Sequence, residues 1–379
     1  MMQLGVKKEL NSLFLILLLF LGQFTHADKL SIGIFDLNKF VYGFAYLYCI
    51  FLGVYRYKDL EKKLVIIFSI YVLILFQSIA VGIDNYFYIK YFDLFMWIIV
   101  TIFLLSDKNY DGKLLVLRLI YFILSIVVCG ITLRYLSGQI MEREGRFLVF
   151  GPIVFARICV LGFLLSQFYI KNSIKYLLML IFFTGLIVAQ SKGPFLGFVI
   201  VECISVILFV KKERKLYMIP ALIILLLIIN EGFESSLLYS RITDMMNQIE
   251  TYWEYGVTEG VLDNNSTSFL IRAYMYIETM YLIMEYPFGV GLGNWASFTG
   301  LQQMEYPHNI FLEVYSELGV VIGSVIFFVL LSRLKLNRKI TMVSLFYLIA
   351  STVSGDILDF RYFIFFVLMG YQEKESNET

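Results

Sequence analysis

Runs of about 20 consecutive apolar residues recur along this 379-residue chain. At 1.5 Å per residue a run of that length is what a helix needs to cross a ~30 Å hydrocarbon core. Inside hydrocarbon every backbone N–H and C=O must be paired within the protein, which leaves only helices and closed barrels as spanning structures. A barrel strand alternates apolar and polar positions, whereas residues 222–229 and 177–188 are apolar on nearly every face. The sequence therefore predicts an all-α, polytopic integral membrane protein with about 11 to 12 transmembrane helices. The candidate spans are 10–24, 34–54, 64–82, 91–106, 114–135, 147–170, 174–190, 193–210, 216–230, 309–331, 340–354 and 360–369. The first also reads as a cleaved signal peptide, because Lys7 and Lys8 precede a short apolar core.

Orientation follows from where the cations lie. With the N-terminus inside, the inner connections and span ends hold about two thirds of the 31 basic residues, which predicts both termini cytoplasmic. The single membrane domain, 1–379, then carries one large extracytoplasmic loop, 231–308, between the ninth and tenth spans. A loop that long in a compact fold is usually functional or disordered. Two amphipathic stretches, 236–253 and 269–285, the second behind a candidate cap at Ser268, favour a small folded cap on the membrane domain.

Several chemistries have no support. The four cysteines, Cys49, Cys129, Cys159 and Cys203, fall in apolar runs without CxxC spacing and read as small core hydrophobes. No zinc pattern, Walker loop or dinucleotide fingerprint is present, so no metal or other cofactor is expected and no nucleic-acid partner. The glycines at 289, 291 and 293 follow no strand; they read as places where the backbone turns sharply and approaches the membrane or a ligand.

Polar groups concentrate instead in 286–323, YPFGVGLGNWASFTGLQQMEYPHNIFLEVYSELGVVIG, in a chain that is 59% hydrophobic and 16% charged. His308, one of two histidines, follows Pro307 there; an imidazole titrates near neutrality and can take a proton from a hydroxyl. Asn309, Glu313 and Glu317 share one helical face at i, i+4 and i+8, and Gly319 and Gly323 form a small-xxx-small pair. Three cations stand apart from ordinary loop charges: Arg157 inside the sixth span, Lys192 in the turn 190–194, and Arg272 near the start of a loop helix. Together they suit a pyrophosphate, which needs several cations and forked donors. Each also has a plain structural reading: Arg157 as a bridge to Glu202 or Asp93, Lys192 as an interfacial anchor, Arg272 as a solvated charge, His308 as a structural ring.

The order SKGP, an arginine in an external helix, P-x-G-x-G-x-G, and then H-N-x-x-L-E-x-x-x-E-x-G resembles the O-antigen ligase and O-antigen polymerase superfamily over about 190–328. The segment Gly151-Pro152-Ile153 ahead of Arg157 is similar to polymerase members. The resemblance implies a metal-independent glycosyltransferase of the bacterial inner membrane with its site facing the periplasm. Its implied substrate is an undecaprenyl-diphosphate-linked oligosaccharide, with the lipid bilayer and a chain-length regulator protein as further partners. His308 and Arg272 match the residues implicated in catalysis. Arg157, Lys192, Asn309, Glu313 and Glu317 would bind the diphosphate or glycan, although Lys192 stands where many members carry arginine. A repeat-unit polymerase is favoured over a ligase acting on lipid A-core, and both over a lipid-linked oligosaccharide flippase, whose paired repeats are missing.

Overall fold

The computed structural model describes residues 31–32, 35–36, 69, 71–84, 86–88, 90–91, 94, 110–138, 151–209, 268–301, 304–334, 339–355, 357 and 360–377. Spans expected at 10–24 and 216–230, all of 34–54 except Phe35–Asp36, the stretch 236–253, Cys49 and Asp93 lie outside them. Apart from a two-residue antiparallel ladder, Ser31–Ile32 against Phe35–Asp36, the regular structure described is helical.

The helices are α1 (Tyr71–Val81), α2 (Tyr110–Leu136), α3 (Pro152–Tyr169), α4 (Ile174–Val188), α5 (Lys192–Phe209) and α6 (Ser268–Glu285), then α7 (Trp295–Thr299), α8 (Ile310–Leu318), α9 (Val320–Ser332), α10 (Lys339–Ser354) and α11 (Phe360–Asn377). Three described segments are long and apolar enough to cross a membrane: Lys113–Tyr135 within α2, and the whole of α3 and α5. Tyr71–Val81, Ile174–Val188, Val320–Ser332 and Lys339–Val353 are shorter apolar helices. Large apolar side chains stand outward along them, among them Phe122 and Ile126 on α2, Leu177 and Leu180 on α4 and Phe328 on α9. A face of that kind is stable against lipid chains and unfavourable against water.

Packing fixes the relative levels of the helices. A Cβ on Gly162 of α3 would lie 2.4 Å from the Phe182 ring of α4, so only glycine admits this approach. Phe163 packs edge-on against Phe198 at 4.9 Å, and Gln167 Nε2 donates to Glu202 Oε2 at 3.1 Å. Both pairs are 35 residues apart in sequence, so α3 and α5 run parallel with Lys192 level with Arg157. On the other side α10 runs antiparallel to α11, with Tyr347 stacked on Tyr362 at 5.0 Å and Ile340 beside Gly370.

Two expectations change. The tenth span, 309–331, is not one helix: it breaks at Gly319 (φ 85°, ψ 161°) into amphipathic α8 and apolar α9. Hydropathy alone misses the break because the apolar residues run on through it. Lys192 lies in the first turn of α5 rather than in the turn before it, which is tightened by Gln190 at φ 49°.

Candidate functional site

The site is built around the carbonyl end of α10. The last carbonyls of a helix lack intrahelical partners and carry the negative end of its dipole, so cations gather there. Arg157 reaches across from α3, 1% exposed, and donates through Nη2 to Ala350 O at 3.4 Å. Arg272 reaches in from α6 and donates through Nη1 to Val353 O at 3.1 Å. The acceptors are three residues apart on one helix, about 4.5 Å along its axis. Two guanidinium groups remote in sequence thus meet at one end of the bundle.

His308 stands beside Arg272. Its backbone is in the left-handed region at φ 56°, its ring meets Tyr306 edge-on at 4.5 Å, and its Nδ1 is buried with no hydrogen-bond partner. Burial first, and the Arg272 guanidinium second, pull the imidazole down to about 4, so it is neutral at physiological pH with a lone pair to offer. Tyr276, one turn beyond Arg272 on α6, places its hydroxyl 3.5 Å from His308 O and 3.4 Å from Thr352 O, and it hydrogen-bonds the Asn309 side chain. One hydroxyl therefore ties α6, the His308 loop and the end of α10 together.

The face Asn309, Glu313 and Glu317 forms, and it points inward. Asn309 caps α8, its Oδ1 accepting from Phe311 N at 3.0 Å and Leu312 N at 3.3 Å. Glu313 and Glu317 are fully buried and grip Lys90 Nζ at 2.5 and 2.6 Å. Burial drives the Lys90 ammonium towards neutrality, but the two carboxylates outweigh that cost and hold it charged. Glu313 also accepts from Ile357 N at 2.8 Å, joining α8 to the chain just past α10. These three side chains, expected to touch glycan or diphosphate, engage protein groups in this structure. Lys90 itself is missed by reading the sequence, where it counts as one more loop charge; the clue is two glutamates four apart on an apolar helix, which need a buried cation.

The glycine loop is a clamp. Val290 N and Gly291 N donate to Ser316 O at 2.8 Å and Glu317 O at 2.9 Å, satisfying carbonyls at the end of α8. Gly293 lies so close to the 86–88 segment that a Cβ would meet Phe87 N at 2.7 Å. Ser78 Oγ accepts from Leu292 N at 3.1 Å, and Asn294 Nδ2 donates to Gly82 O at 2.6 Å and Val290 O at 2.9 Å. The close approach of these glycines, expected towards the membrane or a ligand, is instead to neighbouring protein segments, because the loop packs on the 77–87 region and the end of α8. At the small-xxx-small pair the close contact is to side chains, since a Cβ on Gly323 would meet the Tyr315 ring at 2.6 Å where α9 folds against α8.

Lys192 is half-buried at the same level of the bundle as Arg157. The expected Arg157 to Glu202 bridge does not form: Glu202 accepts from Gln167 through one oxygen, and the other has no hydrogen-bond partner.

Buried Arg157, half-buried Arg272 and the His308 imidazole are thus drawn to one end of a helical membrane bundle, close to an amphipathic helix held down by a buried ion pair. Residues 177–328 match the family described as O-antigen ligase, so this part of the chain is similar to that family and supports the resemblance to the O-antigen ligase and polymerase superfamily. The match takes in Lys192, Arg272 and His308 and leaves out Arg157, Lys90 and the end of α10. No curated protein and no solved structure matches the chain.

Proposed function

We propose that the protein is a repeat-unit polymerase of the bacterial inner membrane, moving a glycan from one undecaprenyl-diphosphate carrier to the sugar hydroxyl of a second lipid-linked repeat on the periplasmic face. The observation that carries this reading is the meeting of Arg157 and Arg272 at Ala350 and Val353, with His308 beside them. In the reaction the acceptor oxygen forms a bond to the anomeric carbon of the donor, whose bond to the carrier diphosphate breaks. The hydroxyl proton passes to His308, which acts as base or orients the acceptor. The electron pair leaves on the diphosphate, where the added charge is met by Arg272, Arg157 and Lys192. Asn309, Glu313 and Glu317 keep the His308 loop in place. Both termini would be cytoplasmic, and a chain-length regulator would act beside the enzyme.

Arg272→Ala should lower transfer on the order of 100-fold or more, the usual cost of removing one donor to developing charge, and abolish long glycan chains at unchanged protein level. Normal chain-length ladders from that variant would remove Arg272 from the reaction. Purified protein given defined lipid-linked repeats should make polymer without lipid A-core. Product formed only when lipid A-core is added would make the protein a ligase, the second reading the family match allows.

The acid side of the pH profile tests His308. Transfer should hold as pH drops through the ordinary 6.5 of an imidazole and fall only as it nears about 4. Stability moves in the same sense: the unfolded chain takes up the proton first, so the folded state loses stability as pH falls from 6.5 through about 4. Thermal unfolding recorded across the same range separates the two effects. A midpoint near 6.5 with unchanged stability would mean that the ring is solvated.

A further inference from the structure

Helix α6 buries one face and leaves another bare. Met275, Thr279 and Leu282 are buried, with Met275 and Leu282 packed beside Val290 and Trp295, and Trp295 Nε1 donates to Thr279 Oγ1 at 2.8 Å. On the other side Met280, Tyr281 and Met284 are 57%, 61% and 69% exposed, and Phe288, just beyond the helix, is 79% exposed. A helix that is apolar on two faces is not at rest with water on one of them.

What meets the bare face is set by where Phe288 is held. Val320 N donates to Pro287 O at 2.9 Å, and a Cβ on Gly319 would lie 2.5 Å from the Phe288 carbonyl carbon. Phe288 is thereby locked at the first turn of α9, whose Val321, Val325 and Phe328 are 64%, 57% and 75% exposed. The outward side of an apolar helix in a membrane bundle faces lipid chains. The bare face of α6 continues that side through Phe288. Tyr286, edge-on to Phe298 at 5.3 Å, adds a ring with a polar tip, the kind that settles at headgroup level.

We propose that the C-terminal half of α6 lies in the membrane interface, with Met280, Tyr281, Met284 and Phe288 set into the acyl-chain boundary of the bilayer. Helices of this kind sink about 5–10 Å into that boundary. Arg272, two turns before Met280, is then held about 12 Å along the helix from the embedded stretch, at the depth of phosphate headgroups. The inference stands without the proposed reaction and explains how a cation from a loop helix is kept at one depth.

Spin labels at Met280→Cys, Met284→Cys and Glu285→Cys, in the full chain with its four native cysteines replaced by alanine, test it in liposomes of phosphatidylethanolamine and phosphatidylglycerol. Each protein is first matched to the parent by thermal unfolding. Oxygen, which dissolves in hydrocarbon, should broaden the spectra at 280 and 284 more than a water-soluble nickel chelate does, and the order should invert at 285. Nickel prevailing at all three positions would place the face in water and overturn the proposal. Labels at 280 and 284 closed to both reagents would overturn it equally, because protein rather than lipid would cover the face.

Discussion

Lys90→Met should unfold the region around the site. The substitution leaves Glu313 and Glu317 fully buried and opposite a thioether, and removing one partner of a buried ion pair typically costs about 3–5 kcal/mol because the remaining charge has no compensation. Both carboxylates depend on one ammonium, so the loss should sit at the upper end of that range. The readout is thermal unfolding in detergent, with the yield of monodisperse protein as a second measure. The triple variant Lys90→Met, Glu313→Gln, Glu317→Gln removes the stranded charges and should recover most of the loss. Full stability in the single variant, or no recovery in the triple, would mean that the cluster does not hold α8 down.

Gly289→Ala is expected to be nearly as damaging, for a steric reason. At φ 85° the new methyl would sit 2.5 Å from Glu317 O and 2.5 Å from Gly319 N, backbone atoms that cannot swing away as a side chain can. Gly300 supplies the control: it has a similar φ of 73° and nothing within 4 Å of a Cβ. Gly300→Ala should cost only the ~1–2 kcal/mol of holding an L-residue in the left-handed region. The difference between the two in unfolding midpoint measures the contact between the glycine loop and the end of α8. Equal midpoints would show that the loop can lift off at little cost.

Much of the helical layout is legible in the sequence. The apolar runs behind α2, α3, α4, α5 and α10 are read to within a few residues, because a segment apolar on every side has few alternatives in a membrane. The face shared by Asn309, Glu313 and Glu317 was legible from spacing, since helical periodicity is local. What that face does was not. A capping asparagine and two glutamates look alike in sequence whether they meet a sugar or a lysine, and the lysine that decides the matter is 223 residues away.

By itself, then, the sequence determined the helical membrane class, the order of its motifs and which side chains carry charge, because hydropathy and helical period act over a few neighbouring residues. Tertiary structure alone decided that Arg157 and Arg272 end on neighbouring carbonyls of α10, that Lys90 is enclosed, that Gly319 splits a continuous apolar run, and that His308 is neutral. Each of these depends on the desolvation and field that distant segments impose when they pack, and no local pattern encodes it.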